Sequence, residues 1–280
     1  MTTVAPAALI ENGGAVRQPM PYGLFSAFAL RPGGADRWES GVIFETGTCD
    51  PVDAIGQWQC APDGTVGLPK DLDANTPAPG EATPFTVYGH FQCSPVGYTP
   101  EKAQQLADEH LRAREEARVE QALWTGDAGN VPSLEDAGTV TVGAGTSDVV
   151  AGLGLLENFL GDSYGSLGVI HMTRQTATAL LARYAVIVSG GRLTTALGTP
   201  VVAGAGYPGT GPAGQAAAAG TQWMFASPAL FGYRSDVFTS SSRPGDLFDR
   251  RTNDLYAVAE RSYLLGFDPC GVAAVLVDLD

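Results

Sequence analysis

Residues 201–214 read VVAGAGYPGTGPAG and contain Gly204-x-Gly206-x-x-Gly209 directly after a β-branched run. That spacing is the fingerprint of a dinucleotide site. Its glycines let the backbone approach a pyrophosphate, which rests on the N-terminus of the helix that follows. The chemistry needs a helix opening at the last glycines, and an acid about 20 residues on to hold the ribose. Here Pro208 and Pro212 sit inside and just after the motif, positions 225–230 read FASPAL, and the next acid is Asp236. Both requirements fail. The stretch reads as a glycine-rich turn or a close-packing loop.

A second motif, Gly161-Asp162-Ser163-Tyr164-Gly165, spells the nucleophile elbow of a hydrolase. An elbow requires a strand before the serine, a helix after it, and then an acid and a histidine later in the chain. The pattern around it gives a helix before and a strand after. The only later histidine, His171, follows with no acid between. It reads as a helix-to-strand turn. Among possible metal ligands, His90, His110 and His171 are dispersed, and none has a second His or Cys at ligand spacing. His110 is expected on a helix surface or at an interface, and His90 and His171 beside strands. The Glu115–Glu116 pair reads as part of a solvated helical face. No catalytic, cofactor-binding or metal-ligating residue is therefore assigned, and no cofactor is expected.

The elements that would have to position such groups are uneven in character. Residues 1–40 are extended, broken by Pro19, Pro21 and Pro32, and read as an arm outside the core. A strand-like GVIFET (41–46) leads into a turn-rich excursion that runs to about residue 83. A structureless loop of that length is uncommon inside a compact domain. It is expected to be an extended hairpin that finds its partners on another subunit. PFTVYGHFQC (84–93) alternates as a strand, with Phe85, Val87 and Phe91 on one side. The strongest helix follows at 99–126. Thr99 is a good N-cap, Pro100 suits the first helical position, and Gly126 supplies the stop. Ala103, Leu106, Ala107 and Leu111 fall on one stripe, while Asp108–Arg112 and Arg112–Glu116 lie at i,i+4 on the exposed side. Beyond it the pattern gives a helix near 148–160, a strand at 167–172, a helix at 173–184, and strands near 185–188 and 199–203. Strand-like runs at 220–227, 230–238, 255–267 and 271–279 close the chain. No repeat of fixed period is present.

Of 280 residues, 44% are apolar and only 16% charged, with 36 glycines and 19 prolines. A surface with so few charges suggests extensive cover by other protein chains. The net charge is −14, and Lys70 and Lys102 are the only lysines, so there is no cationic footprint for nucleic acid or an anionic membrane. From Ser163 to Ser235 there is no acid, only Arg174, Arg183, Arg192 and Arg234. That segment carries +4 and the remainder −18, the asymmetry of a distinct subdomain with its own neighbours. No signal peptide and no membrane-spanning run is visible. Cys49, Cys60, Cys93 and Cys270 never form C-x-x-C. They are expected to be free thiols in a reducing cytosol, with a Cys49–Cys60 disulfide as the alternative.

PFTVYGHFQCSPVGYTPEKAQQLADEHLRAREEARVEQALWTG (84–126) resembles the strand and long spine helix in the major capsid proteins of tailed bacteriophages of the Hong Kong 97 type. The sequence looks nearest to those of phages that infect actinobacteria. LGVIHMTRQTATALL (167–181), TALGTPVVAGAGYPG (195–209) and AERSYLLGFDPCGVAAVLV (259–277) carry the resemblance over most of the chain. It implies an α+β Hong Kong 97-type capsid fold. The N-terminal arm would be 1–40 and the extended loop 41–83. The peripheral domain would be 84–160, with its spine helix at 100–125, completed by return strands at 244–280. The axial domain would be 161–243. Cys93 and Cys270 fall in the same implied subdomain and are expected to lie near each other.

The resemblance further implies a structural protein without enzymatic activity. It would self-assemble into hexameric and pentameric capsomers of an icosahedral shell around double-stranded DNA, which it encloses without sequence-specific binding. It would be made in the bacterial host cytoplasm and reside in the virion, with no membrane partner. A portal and decoration proteins are further expected partners. With the arm starting almost at Met1, scaffolding is expected from a separate protein. Some members crosslink neighbours through a loop lysine and an asparagine; Lys70 and Asn253 are the available pair, but no matching motif surrounds them. An encapsulin-like compartment is the alternative within the fold. An α/β nucleotide-cofactor enzyme using the 204–209 loop is the alternative from another class.

Overall fold

The computed structural model describes residues 20–33, 37–47, 79–94, 98–239, 248–249 and 251–280. It opens with α1 (Leu24–Ala27), β1 (Arg31–Pro32), β2 (Val42–Glu45), β3 (Pro79–Ala82) and β4 (Pro84–Cys93). The long helix α2 (Pro100–Thr125) is followed by β5 (Val140–Asp148), α3 (Val149–Phe159), β6 (Val169–Thr173) and α4 (Arg174–Ala182). Next come β7 (Val186–Ser189), β8 (Arg192–Thr195), β9 (Pro200–Gly204), β10 (Thr221–Ser227), β11 (Phe231–Arg234) and β12 (Phe238–Thr239). The chain closes with β13 (Phe248–Asp249), β14 (Asp254–Gly266) and β15 (Ala273–Asp278).

The helix α2 starts and stops where its caps dictate. Thr99 accepts a hydrogen bond from the Lys102 N–H at 3.3 Å, and Gly126 turns left-handed at φ 76° with its N–H on the Ala122 carbonyl. Its 26 residues give a rod of about 39 Å.

One sheet is organised on β14. Its one edge pairs with β4 from Leu264↔Pro84 to Leu255↔Cys93, and its other edge is shared by β11, β12 and β13. The face with Phe85, Val87, Ala257, Ala259 and Tyr263 is buried against Ala103, Ala107 and Leu111 of α2. Helix and sheet approach to backbone distance at Gly89, where a Cβ would stand 2.5 Å from the Leu111 nitrogen.

The second sheet has seven strands in the order β5-β15-β10-β6-β9-β8-β7. Its central strands are buried on both faces, which is why they read as continuous apolar runs. Val202, Trp223, Phe225 and Ala274 join the core around α2. Their neighbours Val201, Met224, Ala273 and Val275 join a second core with Leu153 and Leu156 of α3 and Leu180 of α4.

Several expectations need correction. The sheets do not follow boundaries at 161 and 243: β5, α3 and β15 belong with the seven-stranded sheet, whereas β11 and β12 pair with β14. The cause is long-range pairing, since β5 lies parallel to β15 from the far end of the chain. Residues 1–40 are not wholly outside the core, because Leu24 and Trp38 are buried. The strand β8 was not anticipated, and 230–238 is two short strands. Of the 41–83 excursion, the described ends form an antiparallel pair, Val42↔Ala82 to Glu45↔Pro79. Residues 48–78, with Lys70, Cys49 and Cys60, lie outside the described residues, as do 1–19.

Candidate functional site

The glycine motif sits where β9 leaves the seven-stranded sheet and meets α2. No phosphate-binding helix follows it; the next element is a single 3-10 turn at Pro212–Gly214. A Cβ on Gly206 would collide with the Ala117 carbonyl of α2, so the loop backbone lies directly on the helix backbone. The Gly206 N–H, which a pyrophosphate would need, instead donates to Glu120 Oε2 at 2.8 Å. A carboxylate already occupies the cradle, and a phosphate beside it would meet like charge. The Gly206 N–H is therefore not available to a pyrophosphate, which counts against the nucleotide-cofactor alternative.

Glu120 is the centre of a three-way junction. Its other oxygen accepts from the Leu24 N–H at 2.9 Å, and Glu116, one turn earlier, accepts from the Phe25 N–H at 2.8 Å. Burial pushes the Glu120 carboxyl up to about 7, against the pull of the Gly206 and Leu24 N–H donors. Burial also raises Glu116, and the nearby Glu115 adds to the shift. Arg174 closes the junction from α4, donating to the Pro21 carbonyl at 2.8 Å. The Tyr22 carbonyl accepts from the Ala203 N–H at 2.9 Å. Glu116 and Glu120 therefore do not form a solvated face. Nor does Glu115, which makes a 3.0 Å ion pair with Arg261 of β14, with side-chain exposures of 14% and 12%, and accepts from the Tyr263 hydroxyl at 2.9 Å. The register of α2 against β14 and the arm turns this acidic side inward. Asp108–Arg112 does form on the outside, at 2.6 Å.

His171, on β6, is fully buried. Its Nδ1 is 2.8 Å from the Tyr207 hydroxyl and its Nε2 is 2.9 Å from Ser227 Oγ. Ser227 donates its proton to the Pro228 carbonyl, so Nε2–H donates to Oγ and the Tyr207 hydroxyl donates to Nδ1. Every proton in this array is committed, and burial depresses the imidazole to about 3. It is a neutral structural network. Ser163 belongs to a π-helical turn, Leu160–Tyr164, that ends at left-handed Gly165, and both ring nitrogens of His171 are taken by other groups. The hydrolase elbow is absent. His110 donates from Nδ1 to the His90 carbonyl at 2.9 Å, and among the described residues no group of three or more His, Cys, Asp or Glu could hold a metal ion.

The cysteine expectations also change. Cys270 is disulfide-bonded while Cys93 is free. Cys93 pairs with Leu255 at one end of β14, and Cys270 follows the other end. That places them about 36 Å apart along the strand, because β14 runs its whole length between them.

The remaining unusual surface is apolar. Tyr184 and Leu197 are 82% and 78% exposed, with Ile187 and Val188 between them also exposed. They cluster at the β7–β8 hairpin and the adjoining turns. Among the described residues β7 is an edge strand of the seven-stranded sheet, as is β5. Exposed apolar groups on an open edge mark an interaction surface. Sequence reasoning did not single out this cluster, nor Glu120, Tyr207, Ser227 and Arg261. An acid set between Val119 and Leu123 on an otherwise apolar stripe was the one readable signal.

No family model and no curated protein sequence matches the chain. Solved structures do. A structure from Microbacterium phage Oxtober96 is 13% identical, with a TM-score of 0.55 over 97% of this chain and 96% of that one. One from Mycobacterium phage Cain is 14% identical, with a TM-score of 0.54 over 98% and 97%. One from Mycobacterium phage Adephagia is 14% identical, with a TM-score of 0.53 over 97% and 96%. The chain has the α+β fold of these phage proteins along nearly its whole length.

Proposed function

We propose that this chain is the major capsid protein of a tailed phage, a structural subunit of the Hong Kong 97 type that assembles into an icosahedral shell. The observation that carries this reading is the end-to-end likeness to structures from phages of actinobacteria. The Gly206 N–H is engaged by Glu120, and buried His171 is neutral and fully bonded.

In this reading the β14 sheet with α2 is the peripheral domain, the seven-stranded sheet is the axial domain, and β2–β3 is the base of the extended loop. The exposed β7–β8 hairpin lies in the acid-free segment of charge +4, and the rest of the chain carries −18. Opposite charge on different segments of one subunit favours heterologous contacts between copies, which close into rings of five or six. The subunit gains stability from surface buried only in the assembly. Its acidity suits a container whose DNA is neutralised by counterions rather than gripped. No helix among the described residues is long and apolar enough to cross a membrane, and the protein's place is the virion. A scaffold, a portal and decoration proteins are its expected partners.

Negative-stain microscopy of the protein expressed alone and with its neighbouring genes tests this directly. Shells, rings or tubes are expected. A monomer that persists under all conditions, or strong stabilisation of that monomer by NAD(P), overturns the proposal.

A further inference from the structure

The seat of α1 on the long helix has an unusual charge arrangement. Glu116 and Glu120 lie one helical turn apart beneath the backbone of residues 23–25, and a Cβ on Gly23 would collide with both carboxylates. Glu120 is 1% exposed, and its two oxygens accept from Leu24 on the arm and Gly206 on the β9 loop. Among the described residues neither glutamate is ion-paired. Glu120 is thus buried and Glu116 half-buried under the arm segment and the β9 loop, with only neutral N–H donors to receive them.

The other charged and titratable groups facing the pair do not neutralise it. On α2, Glu115 adds negative charge beside Glu116. Arg112 is held by Asp108, and with Arg114 it lines the rim of a small cavity of about 60 Å³. From α4, Arg174 lines the same cavity but is bonded to the Pro21 and Ala203 carbonyls. From the β9 loop comes Tyr207, itself held protonated by burial and by the two glutamates. Among the described residues, the docked segment 20–28 contributes only Tyr22, whose ring packs on the second core.

We propose that this junction is a proton-linked latch, in which residues 20–28 dock on α2 with uptake of protons by Glu116 and Glu120. Docking then tightens as pH falls and loosens as the carboxylates ionise. The sign follows from linkage. Undocked, Glu116 meets water and Glu120 loses the Leu24 donor and the cover of residues 20–28 while keeping the Gly206 donor, so both titrate closer to the ordinary 4.5; docked, Glu120 titrates near 7 and Glu116 is also raised. Between those values the docked state binds more protons, so docking is weakest above pH 7 and reaches full strength below the ordinary range. A protonated carboxyl still serves both donors, because its hydroxyl oxygen keeps a lone pair for an N–H.

The test is amide hydrogen exchange of the full-length protein at Leu24 and Phe25, the donors themselves, with Met224 in the sheet core as reference. Rates are corrected for intrinsic exchange. From about pH 8 to about pH 5.5, protection at Leu24 and Phe25 is expected to rise about tenfold or more relative to Met224. The Glu116→Gln/Glu120→Gln double variant is expected to flatten that slope. If the double variant does not fold, Glu116→Gln alone keeps an acceptor for Phe25 and must still reduce the slope. A flat or inverted wild-type profile, a slope shared equally by Met224, or a slope unchanged in the variants overturns the latch.

Discussion

The backbone carbonyl of Ala117 fills the space in which a side chain on Gly206 would stand, so the β9 loop and the long helix meet backbone to backbone. Nothing flexible can move aside at this contact. Gly206→Ala is therefore expected to destabilise the subunit by about 1–3 kcal/mol through overpacking. Gly154 of α3 has open space around its Cα, and Gly154→Ala is expected to be neutral or stabilising by about 0.5–1 kcal/mol. Urea unfolding of the unassembled subunit measures both. Equal effects would remove the packing role given to Gly206.

The Glu115–Arg261 ion pair ties the middle of α2 to β14 in a mostly buried setting. Removing one partner leaves a charge without its counter-ion, so Arg261→Met is expected to cost about 3 kcal/mol or more. Replacing both, Glu115→Gln with Arg261→Met, removes that penalty and is expected to cost less than the single change. A double-mutant cycle on unfolding free energies reads the coupling. Strict additivity would mean that the pair contributes only as two independent side chains.

His171 sets an acid limit on the fold. Its folded value of about 3 lies below its ordinary 6.5, so the unfolded chain binds the extra proton between those pH values. The stability from the neutral ring is fully present above pH 6.5 and is lost as pH falls toward 3. This opposes the glutamates of the arm junction, which favour the folded state as pH falls through the same region. His171→Gln is expected to lower stability at neutral pH and to flatten the acid limb, seen as a shallower fall of the urea midpoint from pH 6.5 to 4. Tyr207→Phe leaves Nδ1 of the buried ring without a donor and is expected to cost about 1–3 kcal/mol.

Which parts of the fold were legible follows the range of the interactions. Thr99, Pro100 and Gly126 mark α2 locally, and the bounds of β4 follow from alternation alone. The failure of the dinucleotide motif was readable from Pro208, Pro212 and the missing acid. What actually fills the loop, Glu120, was not readable, because its partners Leu24 and Gly206 lie 96 residues before it and 86 residues after it. Sheet membership escaped for the same reason. The register of β15 between β5 and β10 pairs Ala273 with Val140 on one side and with Ala226 on the other, and no local pattern encodes that choice. Glu115 and Glu116 read as solvated because an i,i+4 pattern reports spacing along a helix and not what later covers it.

The exposed β7–β8 hairpin separates assembly from folding. Leu197 and Val188 contribute little to either core, so Leu197→Asp and Val188→Asp are each expected to leave the unfolding free energy of the subunit within about 0.5 kcal/mol of wild type. The same changes bring a negative charge into a segment that has no acid, at Val188 on the edge strand β7 and at Leu197 in the turn after β8, and the neighbour in a ring would be a chain of charge −14. Apolar cover is lost and like charges are brought together, so particle formation is expected to fail while the subunit stays folded. Unfolding curves and negative-stain micrographs of one preparation check both halves. Normal particles from the Leu197→Asp/Val188→Asp double variant would move the inter-subunit contact away from this hairpin. Misfolded subunits would instead assign these side chains to the core.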